Sequence, residues 1–232
     1  MTSPWKGACF RVWCAMPGWL AIPMPDPLHP MGLLILLGFL LTGYVVGSVP
    51  FGLVVSKLFG LPDPRSYGSK NIGATNILRS GNKIAALLTL IGDSAKGGVA
   101  TALTFIFYGT DPALAMGFGA FVGHLHPVFL KFKGGKGVAT FLGVILAMGP
   151  SLVGPLTLAS WLLGALVTRR SSMGAVAAAV SAPVLFYVFG HVQLAEWSLV
   201  MALWLLWRHR ENIKRLVAGT EPKIGAKKQQ HD

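Results

Sequence analysis

The chain has 232 residues, of which 53% are hydrophobic and only 12% charged, with a mean hydropathy of +0.60. Soluble chains carry about 25% charged residues, and a single soluble core of this length leaves too much of its chain exposed to hide so much apolar surface. The composition excludes an ordinary soluble domain and makes lipid the solvent.

Residues 1–30 hold Pro17, Pro23, Pro25, Pro27 and Pro30, which break any helix placed there, and lack the apolar run of a signal peptide. They read as a poorly ordered extension, with Met31 a candidate initiator at the head of the first long apolar run. Apolar segments follow at 31–56, 84–108, 113–130, 138–148, 151–167, 174–190 and 194–207. A span needs about 20 residues, so the fourth and seventh are short by themselves. The expectation is an all-α, polytopic membrane protein of about seven transmembrane helices. Its membrane domain is 31–224, and 225–232 is a basic, frayed tail.

Charge in the gaps supports that count. Arg65, Lys70, Arg79 and Lys83 follow the first segment; Lys131, Lys133 and Lys136 follow the third; Arg169 and Arg170 follow the fifth; more Lys and Arg follow Arg208. The alternate gaps, around Asp111, Pro150 and Glu196, hold no Lys or Arg. By the positive-inside rule the N-terminus lies outside and the tail in the cytoplasm. Ile213, Leu216 and Val217 share one face of 208–218, which reads as a helix at the cytoplasmic interface.

The net charge of +12 would ordinarily raise nucleic acid as a partner. Its placement between apolar runs points instead to membrane orientation or phosphate-bearing substrates. The two cysteines, Cys9 and Cys14, are too few for a disulfide scaffold or a four-ligand zinc site.

The basic gaps are also rich in Gly, Ser, Asn and Thr. Between Arg65 and Asn76, glycines let backbone N–H groups converge, and Ser69, Asn71, Thr75 and Asn76 add neutral donors. Such nests bind anions, and an arginine adds a planar fork for phosphate; an ordinary polar loop with turn glycines is the alternative. The run from Phe132 to Thr140 repeats the theme with Gly134, Gly135 and Lys136. It lacks the spacing of a Walker A loop, yet it can present Lys136 and flexible glycines to a phosphate. Pro50 interrupts the first segment and leaves Ser48 where apolar chain meets aqueous loop; a proline kink with a helix-bonded serine is the other reading.

Asp93 and Lys96 are an ionisable pair inside a long apolar segment, three residues apart and able to face each other. Intramembrane charges are functional by default, although a structural pair joining helices is an equal alternative. His124, His126 and His209 have no carboxylate cluster beside them, so no metal is expected.

Several of these runs occur in a recognisable order. They are Gly47-Ser-Val-Pro-Phe-Gly52, Arg65 with Gly-Ser-x-Asn-x-Gly-Ala-Thr-Asn76, Asp93-x-x-Lys-Gly97, and Gly123-His-x-x-Pro127 leading into Phe132-Lys-Gly-Gly-Lys-Gly-Val-Ala-Thr140. His209-x-x-Asn-Ile-x-Arg-Leu-x-x-Gly-x-Glu221 closes the series. Over roughly 31–224 the chain resembles the bacterial acyl-phosphate:glycerol-3-phosphate acyltransferase family. Lys70 departs from it, since the family usually has glycine between Ser69 and Asn71; the change adds a charge at the loop.

The resemblance implies a multi-pass inner-membrane enzyme of phospholipid synthesis. It would move an acyl chain from acyl-phosphate to the 1-position of glycerol-3-phosphate, releasing 1-acyl-glycerol-3-phosphate (lysophosphatidic acid) and phosphate. No cofactor, acyl carrier protein or CoA donor is implied. Arg65, Ser69, Asn71, Thr75, Asn76 and Lys136, with Gly134 and Gly135, would hold phosphate. Ser48, Ser171 and Ser172 would orient the acyl-phosphate head, and His209 and Asn212 would orient glycerol-3-phosphate. The general base would be His209, whose ordinary pKa lies near working pH, or the donor phosphate itself. A transporter is the rival without chemistry, opposed by missing repeats. A metal-dependent phosphatidyl transferase would need clustered aspartates.

Overall fold

The computed structural model describes residues 29–149 and 152–225, and every regular element among them is a helix. The extension before residue 29, Pro150, Ser151 and the tail from 226 lie outside the described residues. The order is α1 (Pro30–Gly47), α2 (Phe51–Leu58), α3 (Ala74–Ile77), α4 (Lys83–Tyr108), α5 (Thr110–Leu125), α6 (Val138–Met148), α7 (Val153–Thr168), α8 (Ser171–Val188), α9 (Val192–Arg208) and α10 (Arg210–Val217).

Among the described residues three stretches are long and apolar enough to cross a membrane: α1 with α2, α5 with the turn after it, and α8. Helix α4 is the longest single helix among the described residues, at 26 residues, and carries Asp93 and Lys96. With 11 residues, α6 extends only about 16 Å at 1.5 Å per residue. The segment read as one span at 31–56 is two helices. Their junction falls at Val49-Pro50, where the chain leaves the helical path and Pro50 becomes the N-cap of α2.

Packing inverts the pattern of a water-soluble protein. Leu33, Leu34 and Leu41 of α1, Leu163, Leu166 and Val167 of α7, and Val184, Tyr187 and Val188 of α8 are all exposed. The interior joins Phe121, Phe141, Phe186, Met201 and Leu205 from α5, α6, α8 and α9. In lipid, helices associate through close packing rather than escape from water, and small residues make the approach possible. The α1–α5 seam shows this: a Cβ on Gly47 would lie 2.0 Å from Ala120 O, and one on Gly123 2.2 Å from Tyr44 O.

The starts of α4, α6 and α8, the α9–α10 junction and the loop 61–80 meet at one end of the bundle. The chain after α10 is strapped across this end: Ile224 N–H donates to Arg169 O at 2.7 Å, and Arg170 Nε to Glu221 O at 2.9 Å.

Candidate active site

At this end a cavity of about 130 Å³ is lined by Ser69, Asn71, Thr75 and Asn76, by Arg79, by Lys136, by Ser171 and Ser172, and by His209, Asn212 and Glu221. Asp93 and His124 form part of its floor, and Leu90, Leu142 and Trp161 line its apolar side. It shares Ser69, Arg79, Lys136 and Asn212 with a wider groove between the loop 61–80 and α10.

Asn76 builds the loop wall. Its buried amide donates to Pro64 O at 2.7 Å and Asn71 O at 2.9 Å, while its Oδ1 accepts from Ser69 N–H at 2.9 Å. Asparagine suits this position because one side chain offers both donors and an acceptor. A second local bond, from Gly73 N–H to Asn71 Oδ1 at 3.0 Å, sets the turn leading into α3. Asn76 is thus engaged as the scaffold of the loop, and Ser69, Asn71 and Thr75 are what that scaffold displays.

The opposite wall is a relay of polar groups. Lys136 Nζ donates to Asn212 Oδ1, Asn212 Nδ2 donates to Glu221 Oε1 at 2.6 Å, and Arg215 Nε donates to Glu221 Oε2 at 2.7 Å. Burial pushes the Glu221 carboxyl up, but the bonds from Asn212 and Arg215 outweigh it and hold the group below the usual range. Burial pushes the Lys136 ammonium down to about 8; Glu221 opposes that shift, while Arg215, Arg208 and Arg79 reinforce it.

His209 is buried, and its Nδ1 lies 2.9 Å from Leu205 O. A carbonyl only accepts, so Nδ1 carries the proton and Nε2 keeps a lone pair. Burial, reinforced by the nearby Lys136 charge, pushes the imidazole down to about 4. So placed, His209 is a weaker base than the ordinary histidine that titrates near working pH.

Beneath the cavity, Lys96 Nζ reaches Asp93 Oδ1 at 2.8 Å, His124 Nδ1 at 2.9 Å and Val49 O at 2.8 Å. Lysine has three N–H donors, and these partners use all of them. Val49 O belongs to the α1–α2 break, where Leu53 N–H bonds Pro50 O instead. The intramembrane pair therefore satisfies a carbonyl left over by the proline break, which hydrocarbon cannot do.

Four expected contributors stand apart from the cavity. Arg65 is half-exposed and clamped by Asp63, with Nε 3.0 Å from Oδ1 and Nη2 2.6 Å from Oδ2. Ser48 Oγ donates to Tyr44 O at 2.7 Å and accepts from Val128 N–H at 3.4 Å, the helix-bonded serine at a kink. Gly134 and Gly135 point their N–H groups at Leu125 O and His124 O rather than into the cavity. A Cβ on Gly135 would lie 2.2 Å from His124 Nε2, so their role here is close packing. Their carbonyls accept from Arg208 Nη2 at 3.3 and 2.9 Å.

Arg79, Glu221 and the third partner of the intramembrane pair, His124, were not singled out for these positions. Arg79 stands three residues after Asn76, on the same side of a short helical turn. Glu221, an acid among basic residues, was visible at the end of the last motif. Among the described residues no three His, Cys, Asp or Glu side chains gather as a metal site would require.

Comparison with known proteins gives the family and the fold. Residues 37–219 match the sequence profile of the glycerol-3-phosphate acyltransferase family. A glycerol-3-phosphate acyltransferase of Brucella canis is 51% identical over 193 residues, covering 83% of this chain and 94% of its own. One of Burkholderia cenocepacia is 53% identical over 193 residues, covering 81% and 90%. The fold is similar to crystal structures of PlsY (YgiH), an integral membrane glycerol 3-phosphate acyltransferase. The glycerol 3-phosphate form has a TM-score of 0.77 and 37% identity, covering 82% of this chain and 96% of that one. The lysophosphatidic acid form has a TM-score of 0.75 and 36% identity, covering 81% and 94%.

Proposed function

Because the chain belongs to the glycerol-3-phosphate acyltransferase family, we propose that it transfers the acyl chain of an acyl-phosphate to the 1-hydroxyl of glycerol-3-phosphate. The products are lysophosphatidic acid and inorganic phosphate. The observation that carries this reading is the charge balance of the cavity. Lys136 and Arg79 face it together with neutral donors, while its two acids, Asp93 and Glu221, are already engaged by Lys96 and by Asn212 and Arg215. Such a site suits phosphate and disfavours free carboxylates.

An acyl-phosphate is a mixed anhydride and already activated, so positioning and stabilisation of developing negative charge are the main requirements. In this reading Lys136, Arg79, Ser69, Asn71 and Thr75 hold phosphate, and the first turn of α8, with Ser171 and Ser172, faces the donor head. Asn212 and His209 orient the acceptor. The acceptor oxygen attacks the acyl carbon, the bond from that carbon to the phosphate oxygen breaks, and the acceptor proton leaves with the phosphate. The depressed His209 favours the departing phosphate as proton acceptor, with Nε2 holding the hydroxyl in line. Ser48 and Arg65, standing off the cavity, support its frame in this account.

The membrane arrangement proposed with it has seven crossings of a bacterial plasma membrane, N-terminus outside and active end cytoplasmic. Alternating basic gaps support it.

The deciding assay supplies detergent-purified protein with palmitoyl-phosphate and glycerol-3-phosphate in EDTA. Phosphate and lysophosphatidic acid formed in equal amounts are the expected result. Phosphate without lysophosphatidic acid would make the protein a hydrolase, and activity abolished by EDTA would point to metal chemistry.

A further inference from the structure

The backbone at Lys70 departs from what a lysine favours. Its φ is +56°, in the left-handed region where a Cβ crowds the backbone and where Gly, Asn or Asp is the usual occupant. The turn enforces this conformation: Lys70 N–H donates to Tyr67 O at 3.0 Å, and the preceding Ser69 N–H is fixed by Asn76. A long cationic side chain contributes nothing to such a turn.

The side chain is exposed and lines the wider groove together with Arg208, Arg210 and Arg215. Those neighbours are engaged. Arg215 bonds Glu221, Arg208 bonds the Gly134 and Gly135 carbonyls, and Arg210 lies over the Trp207 ring at 4.9 Å and 3.8 Å from Glu211. No hydrogen bond or ion pair among the described residues engages the Lys70 ammonium. The adjacent Ser69 belongs to both the groove and the inner cavity.

We infer that Lys70 is a steering residue: an unpartnered cation at the mouth of the groove that draws a dianionic organic phosphate toward the inner cavity without touching the reacting atoms. The inference rests on glycerol-3-phosphate being the soluble acceptor, as proposed above. A unit charge acting on a dianion across about 10 Å of water raises its local concentration roughly threefold at low salt. At physiological ionic strength the interaction is screened over about 8 Å.

The test measures kcat and KM for glycerol-3-phosphate, with palmitoyl-phosphate saturating, at about 20 and about 200 mM salt. The wild-type protein is compared with Lys70→Asn and Lys70→Gly, which accept the left-handed backbone, and with Lys70→Arg, which keeps the charge. The expected result is a roughly threefold higher KM for the Asn and Gly variants at low salt, with kcat unchanged. The difference disappears at high salt, and the Arg variant keeps the wild-type KM. Lys70→Gly also melts no lower than wild type, because glycine relieves the backbone. Equal KM values at low salt, a difference that persists at high salt, or a fall in kcat would each overturn the steering role while leaving acyl transfer intact. A wild-type protein that transfers no acyl chain would overturn the functional reading and this inference together.

Discussion

Two charged clusters stand one above the other at the same end of the bundle, and they are built to opposite ends. In the floor cluster, Lys96 distributes its three donors over Asp93, His124 and Val49 O, and nothing is left to offer a ligand. In the wall cluster, Glu221 is shared between Asn212 and Arg215, and Lys136 has a neutral amide for a partner rather than a carboxylate. Burial of charge is tolerated in both. In the floor it is offset by complete pairing, whereas in the wall a surplus cation is left with its affinity unsatisfied. The contrast separates a cluster that holds helices together from one that can hold a phosphate.

The largest effect that could break this contrast is on turnover. Lys136→Met removes the surplus cation and replaces it with an apolar chain of similar length. We expect kcat/KM to fall about 10²–10³-fold, in line with loss of a stabilising charge at a reacting centre, with the melting temperature nearly unchanged. Retention of more than a tenth of the activity would remove Lys136 from the phosphate site.

Lys96→Met should do the reverse and act first on stability. It strands Asp93 in the interior, a loss of about 3–5 kcal/mol, and Asp93→Asn/Lys96→Met should recover much of it. Thermal unfolding in detergent reads both, and a single variant as stable as wild type would contradict the floor's structural role.

Gly135→Ala tests the joint between the clusters. The added methyl meets His124 Nε2 at 2.2 Å and should cost about 1–3 kcal/mol by overpacking. Combining it with His124→Ala opens the space, so the two changes should be clearly non-additive in melting experiments.

The pH profile gives the smallest effect and sharpens the wall alone. Lys136 titrates at about 8, so kcat/KM for glycerol-3-phosphate should decline above that pH as the cation loses its proton. His209 is already neutral above about 4, so no acid limb belonging to it should fall between pH 6 and 7. The same depression has a stability sign. Unfolded His209 binds a proton below its ordinary value near 6.5 while the folded one does not, so its contribution to stability declines as pH falls through that value. A rate limb centred near 6.5 that vanishes in His209→Gln would contradict the burial of this group.

Much of this was legible in the sequence for identifiable reasons. Apolar runs bounded by basic or Gly-rich gaps set the helices within a few residues of where they stand, because lipid demands that every backbone donor be satisfied inside its own helix. The polar runs marked Ser69, Asn71, Thr75 and Lys136, and the family resemblance added Ser171, Ser172, His209 and Asn212; all of them line one cavity. Arg65, Ser48, Gly134 and Gly135 belong to the same runs yet stand off it. A motif records which residues act together, and it does not distinguish those that face a ligand from those that hold the facing residues in place. Asn76 shows the difficulty: it reads as one more donor, and its donors and acceptor are taken by four residues of its own loop.

By itself the sequence determined the solvent, the helical class and the end of the bundle where polar chemistry gathers, since all three follow from composition and from the spacing of charge. Only the tertiary structure decided that Lys96 serves the Val49 carbonyl and His124, and that Glu221 reaches back to Asn212. It alone decided that His209 is driven neutral and that Lys70 occupies a conformation made for glycine. Those outcomes depend on the turn a residue is drawn into and on which groups from distant segments come within about 3 Å, where hydrogen bonding and desolvation, more than residue type alone, set the charge that each group carries.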